Sequence, residues 1–169
     1  METTAQETNC LFANDGKENF MLKRYTCWLW LAVVFLFLTG LIHSISLLIS
    51  PVPANETERQ MLGLMMNYKM DMGAGFHKSM WNLFTALSSC FSFVSLLGGL
   101  TIAYLLKRKT PTSILKGAVG IHLLVFAACF VMIAVFAFLL PIVLTGLVVL
   151  FLAIGFFTIP NESWEPESH

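Results

Sequence analysis

His43 and His77 stand at the edges of long apolar runs, where an ionisable side chain is expensive. A titratable group at membrane depth is a functional candidate by default. An imidazole can ligate a metal, carry a proton or bond between helices. Asp71, Lys78, Trp81 and Asn82 surround His77 in sequence and, with His43, make up the candidate polar cluster. A metal site needs a third or fourth ligand. Asp71 is the one obvious further donor, so the pattern predicts no metal. Bis-histidine haem needs two imidazoles facing each other at one depth, and the expected cofactor set is none. The reading these residues favour is a histidine that ties the first apolar segment to the second by hydrogen bonding. His122 falls in a third apolar run, towards the opposite membrane face from the other two. No nucleophile elbow, P-loop, HExxH or dinucleotide fingerprint is present, so no reaction class is indicated.

A second pattern lies just downstream. Ser88, Ser92, Ser95 and Gly99 follow one another at spacings of three and four. Such residues let helix backbones approach closely and bond across the contact. A channel lining would instead show charges or rings of polar groups, so the stripe reads as helix packing. Cys10, Cys27, Cys90 and Cys129 have neither redox nor zinc spacing. The last three fall in apolar runs and read as small buried hydrophobes.

These residues must be positioned by membrane-spanning helices. The chain is 57% hydrophobic and 12% charged, against about 25% charged in ordinary soluble domains. A soluble fold of this length has too much surface to hide so many apolar side chains. The expected fold is an all-α, integral-membrane four-helix bundle. Its transmembrane helices are placed at about 26–50, 78–106, 114–138 and 141–159, with a short interfacial helix at about 57–71. Each long run meets the roughly 20 residues that a bilayer demands. Pro51 and Pro53 stop the first run. Met61, Leu64, Met65, Tyr68 and Met72 then recur at helical spacing, as in a helix lying on the membrane surface. Gly73-Ala74-Gly75 ends that stretch, and Pro141 opens the fourth run. Residues 1–20 read as a flexible cytoplasmic tail, 21–159 as one transmembrane domain and 160–169 as a second cytoplasmic tail.

Charge sets the expected orientation. Lys17, Lys23 and Arg24 precede the first run, and Lys107, Arg108, Lys109 and Lys116 lie between the second and third. Basic short loops stay in the cytoplasm, so both termini are expected there. Tyr25, Trp28 and Trp30 then mark the inner interface and Trp81 the outer one. Of the sequons at Asn55 and Asn161, only the first falls on the outer side. The net charge of +0 excludes the basic surplus that nucleic-acid binding needs.

Several short motifs resemble those of an uncharacterised bacterial four-helix inner-membrane protein family. They are Leu41-Ile42-His43, Met66-x-x-Lys69, Met72-Gly73, the run from Lys78-Ser79-Met80-Trp81-Asn82 to Phe84, and Phe91-Ser92. The family has a histidine late in helix one, a basic-Ser-x-Trp motif opening helix two and a proline-led fourth helix. The resemblance spans roughly residues 25–157 and implies topology and a bacterial inner membrane. Members often carry a second histidine just after the first, where this chain has Ser44 and Ser46.

The leading functional expectation is a membrane protein that binds a partner or a small hydrophobic ligand within the bundle. The expected partners are the lipid bilayer and a membrane protein or a second copy of the chain. A membrane enzyme or redox protein with an outer-face site around His43 and His77 is the alternative, and a small transporter the third reading.

Overall fold

The computed structural model describes the backbone of residues 3–160 and the side chains of residues 24–160. The described residues are all-α apart from one small ribbon. Its helices are α1 (Thr3–Leu48), α2 (Glu56–Asn67), α3 (Met80–Lys107), α4 (Thr112–Phe136) and α5 (Leu139–Thr158). The strands β1 (Lys69–Asp71) and β2 (His77–Ser79) pair antiparallel between α2 and α3.

Four segments are long and apolar enough to cross a membrane: Arg24–Leu48, Met80–Lys107, Thr112–Phe136 and Leu139–Thr158. The shortest has 20 residues, about 30 Å at 1.5 Å per residue, which matches a hydrocarbon core. The chain is therefore a multi-pass membrane protein in contact with lipid. Helical backbone runs ahead of the first span from Thr3, but the side chains of the stretch read as an N-terminal tail lie outside the described residues. So do residues 161–169 of the C-terminal tail.

Of the boundaries that differ from expectation, three have a local cause. The helix placed at 57–71 ends at Asn67, and 69–71 form a strand. The second span, placed from 78, begins at Met80, because Lys78 and Ser79 belong to β2. The last helix starts at Leu139, two residues before Pro141. A proline is tolerated there because amides in a helix's first turn have no intrahelical acceptor.

Contacts divide the chain into two compact units, Met1–Leu36 with Gly98–His169, and Phe37–Leu97. The first has an apolar core. Leu29, Ala32, Val33 and Leu36 form a buried stripe on α1. Leu144, Val148, Leu152 and Gly155 do the same on α5. Between lipid-soluble helices there is no hydrophobic drive to associate, so shape complementarity carries the packing. Glycines supply it here. A Cβ at Gly120 would lie 3.1 Å from the Phe156 ring, and one at Gly146 would lie 3.2 Å from the Phe130 ring. Each glycine thus seats an aromatic of the facing helix against backbone. Lys116 closes the end of α5, its Nζ donating to the Ile159 carbonyl at 3.3 Å while lying over the Phe156 ring. A cation at a helix C-terminus opposes the dipole there. α4 buries the smallest share of its span, whereas α5 buries as much as α1 or α3. α5 is thus packed along one face as fully as either of those.

Candidate functional site

The second unit holds the candidate cluster. α2 begins with a side-chain cap, Asn55 Oδ1 accepting the Glu58 amide at 2.9 Å. Glu58 answers by accepting the Ala54 amide at 2.7 Å. This reciprocal arrangement satisfies amides that a helix start leaves orphaned. The Arg59–Glu56 ion pair beside it is exposed and contributes little.

β1 and β2 are joined by a glycine turn. Gly73, Ala74 and Gly75 all have positive φ, at 81°, 50° and 80°. Two of the three lack the Cβ that makes this region costly. Asp71 Oδ1 accepts the Gly73 amide at 2.9 Å, and the Phe76 carbonyl accepts the Met72 amide at 2.8 Å. The register sets Asp71 opposite His77 and Met70 opposite Lys78. The structure thus brings Asp71 and His77 together across the ribbon, with both side chains exposed. The Asp71 carboxylate is engaged in holding the turn.

Asn82 has a structural partner. Its Oδ1 accepts from the Ser79 hydroxyl at 2.6 Å and from the Ser79 amide at 3.3 Å, while Ser79 Oγ accepts the Asn82 amide at 3.2 Å. Ser79 precedes α3 directly and is buried. The Lys78-Ser79-Met80-Trp81-Asn82 motif is therefore a capping box with asparagine in the position usual for glutamate. Trp81 packs on Phe84 with ring centroids 5.9 Å apart, and Lys78 is exposed.

His43 sits deeper, edge-on to the Phe91 ring at 5.3 Å. Gly40, one turn earlier, makes that contact possible. A Cβ there would lie 2.9 Å from Leu96 Cγ and 3.2 Å from the Ser92 carbonyl oxygen. Ser44 and Ser46 turn their hydroxyls back onto α1, to the carbonyls of Gly40 and His43. The Nε2 atom of His43 is buried without a hydrogen-bond partner, as are Thr85 Oγ1 and Ser92 Oγ. Among the described residues, no hydrogen bond, ion pair or ring contact joins His43 to His77. No group of three or more His, Cys, Asp or Glu among them is placed to hold a metal ion. His122 bonds through Nδ1 to the Ala118 carbonyl at 2.8 Å, in the other unit.

Of the small-residue stripe, Ser92 and Ser95 are buried and Ser88 is partly so. Ser95 bonds back to the Phe91 carbonyl at 3.0 Å. Gly99 is buried in the other unit. Cys27 and Cys90 are exposed and Cys129 is partly buried, all three unpaired. The reading of the first two as buried hydrophobes is corrected: they lie on exposed faces of their helices.

A groove of roughly 380 Å³ opens between α2, β1 and the first turn of α3. Leu64, Met65, Tyr68, Met70 and Met80 line it, and its wall is almost wholly apolar. Leu64, Met65 and Tyr68 belong to the helical stripe visible in the sequence. Met70 and Met80 reach the groove only because the ribbon folds the chain back.

Compared with family models, curated proteins and solved structures, the chain matches none.

Proposed function

We propose that this chain is a multi-pass protein of the cell membrane that acts by binding, with both termini in the cytoplasm. Its ligand is a small hydrophobic molecule or the apolar segment of a membrane partner, a second copy included. The groove bounded by α2, β1 and α3 is its seat. The apolar wall of that groove is the observation that carries the reading. Concave apolar surface with few polar groups is the usual form of a small-molecule site. Two of the polar residues that could have argued for catalysis are engaged elsewhere, Asn82 in a helix cap and Asp71 in a turn. Exposed Lys107 at the end of α3, with Arg108 and Lys109 after it, supports the cytoplasmic placement of that side. A bacterial inner membrane follows from the resemblance.

The test is uptake of a fluorescent apolar probe by the full chain in nanodiscs, with Leu64→Lys and Tyr68→Lys as variants. Binding should fall when charge enters the groove. Equal uptake by the wild type and both variants sinks the reading.

The unpartnered Nε2 of His43 favours a second reading, a redox or enzymatic site built on that imidazole. The absorption spectrum and metal content of the purified protein address its cofactor form. Absence of both a Soret band and stoichiometric metal would remove that form.

A further inference from the structure

Six of the chain's nine methionines fall within residues 61–80: Met61, Met65, Met66, Met70, Met72 and Met80. Beyond Met80, the four spans contain only Met132. Methionine is therefore not this chain's general apolar filler. Leucine would cover an interfacial surface equally well, and it fills the spans throughout. What a thioether adds over leucine is a flexible arm ending in a soft lone pair.

Three of these methionines, from three separate elements, line one groove. Met65 comes from α2, Met70 from β1 and Met80 from α3. No carboxylate, imidazole or thiol shares that lining. Magnesium and calcium require oxygen ligands, and zinc takes cysteine, histidine or carboxylate. Thioether donors select Cu(I). We propose that Met65, Met70 and Met80 form a three-thioether site for Cu(I). The inference rests on the reading of the groove as a binding site and names a second class of ligand for it. Thioethers carry no proton to lose, so the ion binds without proton release. Sites of cysteine or histidine, by contrast, release protons on loading and weaken with acid.

The test uses the full chain in detergent with Cys10→Ser, Cys27→Ser, Cys90→Ser and Cys129→Ser, which removes competing thiols. Cu(I), held reduced under anaerobic conditions, is offered in competition with a coloured Cu(I) chelator. The expected result is withdrawal of about one ion per chain, with equal strength between roughly pH 5.5 and pH 7.5, since no donor in the groove titrates there. Met132→Leu leaves this unchanged. The triple variant Met65→Leu, Met70→Leu, Met80→Leu loses it while keeping helical content and apolar-probe uptake. Failure of the cysteine-free protein to withdraw copper overturns the proposal. So does copper binding that survives in the triple variant, or that declines with acid as a histidine site would. If the triple variant does not fold, Met65→Leu and Met80→Leu are read singly, and wild-type binding in both overturns it. Copper binding without probe uptake removes the hydrophobic-ligand reading and leaves this one standing. Probe uptake without copper binding does the reverse.

Discussion

Gly40→Ala should destabilise the protein, although alanine is the better helix former. The added methyl would lie 2.9 Å from Leu96 Cγ, 3.0 Å from Leu96 Cδ2 and 3.2 Å from the Ser92 carbonyl oxygen. The leucine can rotate away, but the carbonyl is fixed in the α3 backbone and the two helix segments must part. Overpacking of this kind costs about 1–3 kcal/mol. Replacing a mid-helix glycine returns roughly 0.5–1 kcal/mol. The net expectation is a loss of up to about 2.5 kcal/mol from these two terms. Gly63 and Gly117 supply the control, because a Cβ at either meets nothing within 4 Å. Alanine there should gain roughly 0.5–1 kcal/mol, so the sign itself reports the contact. The assay is unfolding by increasing SDS in mixed micelles, followed by tryptophan fluorescence. If Gly40→Ala stabilises as much as Gly117→Ala, α1 and α3 do not approach as described, and the seat of His43 against Phe91 falls with that contact.

Asn82→Ala removes the capping box at the start of α3 and should cost about 1 kcal/mol by the same assay. Asn82→Asp should stay within a few tenths of the wild type, since a carboxylate accepts the same bonds and suits a helix N-terminus. Lys116→Met should cost about 1 kcal/mol, below the range for a charged donor because the side chain is only partly buried. Lys116→Arg should recover most of that loss. Lys109 has φ 49° and follows α3 where its last carbonyls accept the amides of Lys109 and Thr110. Lys109→Gly should therefore raise stability by roughly 0.5 kcal/mol, the left-handed strain relieved less glycine's added entropy. An unchanged unfolding midpoint would speak against the strained cap.

The four spans were legible because length and hydropathy alone determine what a bilayer accepts, and their ends fell within a few residues of expectation. The ribbon was not. Three residues per strand are too few for an alternating pattern, and Met65, Tyr68 and Met72 continue the helical spacing of α2 across the point where the helix stops. The polar cluster was legible as residue types, whereas the partners its members take were not. His77, Lys78, Trp81 and Asn82 are close in sequence, yet Asn82 turns to Ser79 and His77 faces Asp71. The Ser-x-x-Asn spacing ahead of an apolar run was the readable sign of a cap. Which methionines share a groove depended on the ribbon, and no periodicity could have supplied that.

The two units are held together internally by different means. Every buried apolar side chain among the described residues belongs to the unit containing α4 and α5, from Leu29 and Leu36 to Val148 and Leu152. In the unit Phe37–Leu97 the buried side chains are Thr39, Ser79, Ser92 and Ser95. Small polar residues permit close backbone approach, but a hydrogen bond between membrane helices averages only about 0.6 kcal/mol. Three polar atoms there, on His43, Thr85 and Ser92, make no such bond, and the same unit leaves its methionine groove open. A segment with few buried apolar contacts is the part of a fold that opens and adapts most readily. A ligand stabilises the state it binds in proportion to its preference for that state. The unit with fewer buried apolar side chains thus has the more to gain from any occupant of its own groove.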